Sequence, residues 1–270
     1  MIACGVDLGS TTGKAVILKD GEIILGEIVM ATVKPAVTAQ LAVDAALKKA
    51  GLSSVKDVAY IVSTGYGRLN VALANENVSE ISCHAKGNYF VDPTVRTVID
   101  IGGQDCKAIS LGPNGAPLGF EMNDRCAAGT GRFFQVMAHV LECGIEGIFS
   151  ADNVSPTPTS ISSQCSVFAE SEVITLVNNE VPLKDIITGI NRAVAGRVSS
   201  LARRAGVADK VVLSGGCYLN MGLRAALAEA LGCAVNVLPM NPQFMGALGA
   251  AVFAQEKAAK AGTQDGGAGK

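Results

Sequence analysis

Two stretches decide the fold: Asp7-Leu-Gly9-Ser10-Thr11-Thr12-Gly13-Lys14-Ala-Val-Ile-Leu18 and Asp100-Ile-Gly102-Gly103-Gln104-Asp105-Cys106-Lys107-Ala-Ile-Ser-Leu111, one pattern written twice at an offset of 93 residues. In each copy an apolar strand (Ile2 to Leu8; Thr97 to Ile101) meets a glycine turn and a second strand follows (Ala15 to Lys19; Ala108 to Leu111). Each pair ends in a Gly-containing turn, Asp20-Gly21 or Asn114-Gly115, and so reads as a β-hairpin. The shared lysine and the matching apolar positions favour duplication over two unrelated Asp-Gly hairpins, and two similar domains are implied.

Outward from the first copy, Ala36 to Ala50 has helical apolar spacing and stops at Gly51. Val58 to Val62 reads as a short buried strand, followed by the turn Ser63-Thr-Gly65-Tyr-Gly67-Arg68, a helix, and Glu80-Ile-Ser-Cys83-His84-Ala. The crossing into the second half is expected near Asp92-Pro93, where proline restricts the residue before it. Beyond the second copy come a strand ending near Met122, the segment Glu121-Met-Asn-Asp-Arg-Cys126-Ala-Ala-Gly129-Thr-Gly131-Arg-Phe-Phe134, and a helix from about Ala128 to Leu141. Ser155 to Ser160 is a loop; helices follow over Ser166 to Asn178 and from Pro182 to Gly206. Val211 to Gly216 is a strand entering a glycine turn, and a further helix, a strand over Ala234 to Leu238 and a helix from Gln243 to about Lys260 close the pattern. Strands alternating with helices predict an α/β architecture with largely buried sheets.

Composition narrows the function. A chain of 270 residues buries a substantial core without disulfide staples. A net charge of −2, four per cent aromatics and no Trp leave neither a basic stripe nor stacking platforms for nucleic acid. No apolar run approaches the ~20 residues of a membrane span, and the N-terminus enters a strand without a signal-peptide layout, so a cytoplasmic protein is expected. Its eight cysteines, without CxxC pairs, read as thiols or metal ligands rather than disulfides.

The chemistry concentrates in three glycine turns. Asp7 and Asp100 each stand where a strand ends in such a turn, a usual place for a carboxylate to approach a metal-bound phosphate, here with Mg²⁺. Gly9, Gly102 and Gly103 let the backbone come close to phosphate oxygens, and Ser10, Thr11, Thr12 and Lys14 offer donors. Gly215-Gly216 resembles the third piece of a nucleotide cradle, so ATP/ADP binding outweighs a purely structural reading. Cys126, ahead of a Gly-Thr-Gly turn, is either a buried thiol before a glycine-capped helix or a metal ligand beside N–H groups able to hold phosphate. Cys4, Cys106, Cys143, Cys217 and Cys233 read as small apolar fillers, Cys83-His84 as a packed or capping pair, and His139, Glu170 and Glu172 as ordinary helix residues.

These motifs resemble the actin, sugar-kinase and heat-shock-chaperone ATPase superfamily: DLGSTTGK and DIGGQDCK look like its phosphate motifs, VVLSGGCYLNMG like its adenosine motif, and FMGALGAAV like its closing connector. With MNDRCAAGTGRF, SSQCSVFAESEV, STGYGR and EISCHA, the resemblance narrows to the activators of 2-hydroxyacyl-CoA dehydratases and covers nearly all of residues 1 to 258. It implies two duplicated ribonuclease-H-like domains with a nucleotide cleft between them, the actin-like ATPase fold: residues 1–95 with about 243–260, and 96–242, with 261–270 as a disordered tail. It also implies that Cys126 and Cys165 ligate one [4Fe-4S] cluster shared across a homodimer, four thiolates being the usual complement and each chain supplying two. Both cysteines are expected to precede helices, whose N-terminal dipoles favour a negative cluster. Arg125 and Ser166 stand where the family pattern has Lys and Thr.

The implied activity is ATP-driven one-electron transfer to an iron-sulfur partner enzyme such as a 2-hydroxyacyl-CoA dehydratase, with ferredoxin or flavodoxin as donor. Asp7 and Asp100 would hold Mg²⁺, Gly215, Gly216, Asn220 and Gln243 the adenosine side, and Gly129 and Gly131 the passage from nucleotide to Cys126. Gln104 would position the attacking water, with Asp105 as the alternative. Three other readings stay open: an activating ATPase for another low-potential reductase of the benzoyl-CoA type, a small-molecule kinase using Asp105 as base, and a cluster-free chaperone-like or filament-forming ATPase.

Overall fold

The computed structural model describes residues 1–162 and 165–265, and the chain divides into two compact units. Unit 1 comprises Met1–Pro93, Pro113–Pro117 and Pro239–Lys270; unit 2 comprises Thr94–Gly112 and Leu118–Leu238.

Unit 1 is built on β1 (Ile2–Leu8), β2 (Thr12–Lys19), β3 (Glu22–Leu25), β4 (Val29–Met30), α1 (Pro35–Lys49), β5 (Tyr60–Thr64), β6 (Glu76–Asn77) and α2 (Glu80–Val91). Unit 2 follows with β7 (Thr97–Ile101), β8 (Cys106–Leu111), β9 (Pro117–Asn123), α3 (Gly131–Val140), α4 (Gly144–Phe149), α5 (Ser166–Asn178), α6 (Leu183–Ala205), β10 (Val211–Ser214), α7 (Met221–Leu231) and β11 (Val235–Asn236). The chain then returns to unit 1 as α8 (Met245–Asp265).

The two sheets share one strand order, β3-β2-β1-β5-β6 in unit 1 and β9-β8-β7-β10-β11 in unit 2. In both, the first pair is antiparallel and the strands beyond it run parallel to the first. The 93-residue offset survives in the pairing itself, Asp7 opposite Lys14 and Asp100 opposite Lys107.

Alternation along β1 sorts its side chains. Cys4, Val6 and Leu8 join Ala39, Ala42, Val43 and Ala46 of α1 in one core, while Ala3 joins Val62, Cys83, Ala250 and Ala254 on the opposite face. Gly5 points to that second face, where an added methyl would overlap the backbone of Ala247 and Ala251, so α8 lies flush on β1. Gly87 and Gly249 bring α2 and α8 together in the same way. Asp7 is next in this alternation, which carries its carboxylate to the α2–α8 side at the strand's end. Unit 2 has its own core, in which Ile99 and Ile101 of β7 pack with Ile187, Ile190, Val194 and Val198 of α6. Phe134 is fully buried there and meets Phe133 and Phe149 edge-on, with centroids at 6.3 and 5.7 Å.

Several expectations shift. The turn at residues 9–11 closes the first hairpin, and Asp20-Gly21 closes a further one between β2 and β3, with φ of 52° and 88° at the two turn residues. After Arg68 there is only a 3₁₀ turn, Arg68–Asn70; the helix waits until Glu80, capped by Ser79, whose side chain accepts from the Ser82 N–H. The strand expected over Ala234 to Leu238 pairs only at Val235 and Asn236. A short helix, α4, was not anticipated from the sequence. Helix α8 runs through Asp265, five residues past its expected end, and residues 266–270 of the expected tail lie outside the described residues.

Candidate functional site

In unit 1, the buried Asp7 is the penultimate residue of β1, and its carboxylate meets Lys14 Nζ at 3.1 Å across the hairpin. The turn between them is tied by Gly9 N–H donating to Thr12 O at 3.0 Å, leaving Ser10 and Thr11 half-buried at its crest. Unit 2 repeats this construction. Asp100 meets Lys107 Nζ at 3.2 Å, and Gly102 N–H donates to Asp105 O at 3.0 Å. The second turn differs in substance: Lys107 is shared with Asp105 at 2.8 Å, and Gln104 is exposed at the crest. Two carboxylates around one buried lysine make this turn the more acidic.

Each aspartate also has a glycine neighbour from the adjoining parallel strand. Thr64 pairs with Asp7 and Ser214 with Asp100, and the residues that follow them, Gly65 (φ 86°) and Gly215 (φ 78°), adopt left-handed backbone against those carboxylates. A methyl on Gly65 would strike Asp7 and the Leu8 backbone; one on Gly215 would strike Ile101 and Asp100. Gly65 is a site residue that sequence reasoning missed. The two glycines are 150 residues apart, so alignment at an offset of 93 passes over them. The insertion of α3, α4 and α5 ahead of α6 accounts for the change of offset.

Gly246 and His84 were missed as well. A methyl on Gly246 would lie 3.0 Å from Asp7 Oδ2 and 3.1 Å from His84 Nε2, so α2 and α8 both close on the carboxylate. Gln243 stands in the 3₁₀ turn Pro242–Phe244 just ahead of α8, its N–H bonded to Asn241 Oδ1. Gly216 opens the 3₁₀ turn after β10. Asn220 is fully buried: Nδ2 donates to Asn191 Oδ1 at 2.8 Å and Oδ1 caps α7 by accepting the Leu223 N–H at 2.9 Å. Its side chain thus ties the start of α7 to α6.

The phosphate-type turn of unit 2 connects directly to the segment carrying Cys126. Gly131 N–H donates to Gly102 O at 2.9 Å and Arg132 N–H to Gly103 O at 2.7 Å. These bonds seat the start of α3 on the turn and explain why the helix begins at Gly131 instead of Ala128. Cys126 therefore lies in a loop five residues ahead of its helix, whereas Cys165 holds the N-cap position of α5. The Cys126 loop is clamped by Asn123, whose Nδ2 donates to both Cys126 O and Ala128 O at 2.9 Å.

Exposure sorts the cysteines: Cys165 is exposed, Cys126, Cys143 and Cys233 are half-buried, and the other four are buried. Burial pushes the thiols of Cys4, Cys83 and Cys217 up to about 12 and that of Cys106 to about 11, which keeps them protonated and poor ligands. Among the described residues no group of three or more His, Cys, Asp or Glu side chains is gathered as a metal site. No helix among them is long and apolar enough to cross a membrane.

Two matched sheets, each presenting an Asp-Gly-Lys hairpin and a parallel-strand glycine turn, define an α/β ATPase of the actin-like and sugar-kinase fold. A ROK hexokinase from Thermus thermophilus, 16% identical with a TM-score of 0.57 over 95% of this chain and 99% of its own, shares that fold alone. The chain belongs to the BadF/BadG/BcrA/BcrD ATPase family, whose model matches residues 4–254. It is 48% identical to the activator of lactoyl-CoA dehydratase from Anaerotignum propionicum over 96% of this chain and 100% of that one. Among solved structures it is similar to component A of (R)-2-hydroxyglutaryl-CoA dehydratase from Acidaminococcus fermentans, at 44% identity and a TM-score of 0.90, covering 96% of this chain and 99% of that one. The activator of the 2-hydroxyisocaproyl-CoA dehydratase from Clostridium difficile, with bound ADPNP, matches at 43% identity and a TM-score of 0.91, covering 98% of each chain.

Proposed function

We propose that this protein is the ATP-dependent activator of a 2-hydroxyacyl-CoA dehydratase or a similar iron-sulfur enzyme, passing it one electron at the expense of ATP hydrolysis. The observation that carries this reading is the hydrogen-bonded path inside unit 2 from the Gly102-Gly103 turn to Gly131, Arg132 and the Cys126 loop. A change of phosphate state at the turn pulls on the carbonyls that seat α3, and so on the loop that presents a thiol.

The donor set fits a [4Fe-4S] cluster. Cys126, half-buried, and Cys165, exposed, can both reach a ligand, while the four buried thiols are held protonated. One chain brings Cys126 and Cys165, so a four-thiolate site calls for a second copy. Helix α5, directly after Cys165, leaves Val167, Phe168, Ile174 and Val177 exposed, an apolar face suited to a homodimer. When bound, such a cluster supplies one-electron storage at low potential, with ferredoxin or flavodoxin as the external donor.

The remaining roles belong to the chain. Asp7 and Asp100 would each offer a carboxylate to Mg²⁺, which would neutralise phosphate charge, and Lys14 with Ser10, Thr11 and Thr12 would bind phosphate oxygens. Gly9, Gly102 and Gly103 let the backbone come close to phosphate oxygens, and Gly215, Gly216, Asn220 and Gln243 line the adenosine side. Gln104 orients the attacking water, its exposed amide able to donate and accept at once. The duplicated domains of this ATPase are residues 1–95 with about 243–260, and 96–242.

Anaerobic purification followed by iron assay and a visible spectrum tests the reading. A brown dimer with about four irons per two chains is expected, and Cys126→Ala should lose the iron while keeping nucleotide affinity. A colourless, iron-free dimer that still hydrolyses ATP would overturn it.

A further inference from the structure

Unit 2 contains a cavity of about 600 Å³ whose lining includes Gly129, on the passage from nucleotide to Cys126, but not Asp100, Gly102, Gly215, Gly216 or Asn220. Its walls are the end of β9, the Gly129 turn, Ile161-Ser162 and the outer side of α6. Three guanidiniums, Arg192, Arg197 and Arg204, face it together with Asn123 and Ser162, and among the described residues no carboxylate belongs to the lining. Phe133 and Leu201 give it an apolar floor.

The arginines are held differently. Arg192 is gripped by both oxygens of Glu229 at 3.2 and 3.1 Å, and Arg204 by Glu121 at 3.3 Å, carboxylates that stand outside the lining. A guanidinium has five N–H donors, so each keeps several for the cavity. Arg197 makes no ion pair among the described residues. Its stem lies against Gly129, where an added Cβ would come within 3.3 Å of Arg197 Cδ, so the left-handed glycine (φ 90°) makes room for it.

We propose that this cavity is an oxyanion site separate from the nucleotide site, taking the carboxylate or phosphate of a small organic anion whose apolar body rests on Phe133 and Leu201. The planar forks of the arginines suit either head group, and the volume lies within the roughly 300–1,000 Å³ of ligand pockets. Because its walls include Asn123 and Ala128, which flank Cys126, an occupant would steady that loop. The assignment does not depend on the electron-transfer reading.

The test uses the full-length protein saturated with ADP and Mg²⁺, titrated calorimetrically with phenyl phosphate and, separately, with benzoate. One molecule per chain of at least one probe should bind the native protein and equally well the variant Arg203→Gln, which removes an α6 guanidinium bonded to Ala230 O and absent from the cavity. Arg197→Gln should weaken binding at least about tenfold, the loss expected from one charged hydrogen-bonding group, with Arg197→Lys in between and ADP affinity unchanged in all variants. Binding of phenyl phosphate alone assigns phosphate as the head group, and benzoate alone assigns carboxylate. No binding of either probe, or equal binding to the native protein and Arg197→Gln, would refute the site.

Discussion

The two hairpin turns have the same skeleton and different surfaces. Both join an aspartate to a lysine seven residues on, both are closed by a glycine N–H bonded to the carbonyl three residues later, and both lean on a left-handed glycine from the next strand. Unit 1 decorates that frame with hydroxyls at Ser10, Thr11 and Thr12; unit 2 has Gly103, Gln104 and Asp105, with Lys107 serving two carboxylates. Duplication has kept the parts that shape the backbone and divided the chemistry. Under the proposed function the first turn's hydroxyls donate to phosphate and Gln104 of the second orders the nucleophile.

The comparison is broken most severely at the aspartates. Asp7→Asn and Asp100→Asn should each slow ATP hydrolysis by about 10²–10³-fold, the range for loss of one electrostatic stabiliser, with single-turnover assays as the readout. A variant retaining the native rate would mean that its turn takes no part in hydrolysis. Next come the supporting glycines. Gly65→Ala and Gly215→Ala force a side chain into left-handed backbone against a carboxylate and should cost about 1–3 kcal/mol of stability each, measured by denaturant unfolding. Gly21→Ala, at φ 88° with open space around it, isolates the backbone contribution and should cost less than either.

A gentler test exchanges the decoration. Thr12→Asp gives the first turn the second turn's carboxylate and should weaken ATP binding by about tenfold through repulsion of the phosphates; unchanged affinity would remove the first turn from phosphate binding. The smallest effect concerns the buried thiols. Cys4, Cys83, Cys106 and Cys217 should resist alkylation at pH 8 until the chain unfolds, as mass spectrometry of labelled peptides can establish. Since burial raises their folded-state values above 9.0, their contribution to stability is fully present below pH 9 and is lost as the pH climbs toward 11 and 12.

What could be read in the sequence was what lies close along the chain. Asp7, Gly9 and Lys14 occupy one hairpin, so their spacing alone brings them together, and the second copy supplies the check. Gly65, His84 and Gly246 reach Asp7 through a parallel strand and two docked helices, contacts that no local period encodes. Helix α3 starts late because Gly131 and Arg132 spend their N–H groups on Gly102 and Gly103, a tertiary demand that overrides the helical spacing beginning at Ala128. The change of offset from 93 to 150 hid the equivalence of Gly65 and Gly215 until the sheets revealed it.

Gly5, Gly87 and Gly249 carry a mechanical consequence. They remove the side-chain cushion between β1, α2 and α8, so backbone presses on backbone and the three elements have no room to slide. Such a seam makes this half of unit 1 a stiff beam rooted beneath Asp7. Its amides should be the last in the unit to exchange with deuterium, and whatever flexing accompanies a catalytic cycle must be accommodated by the loops that leave the seam.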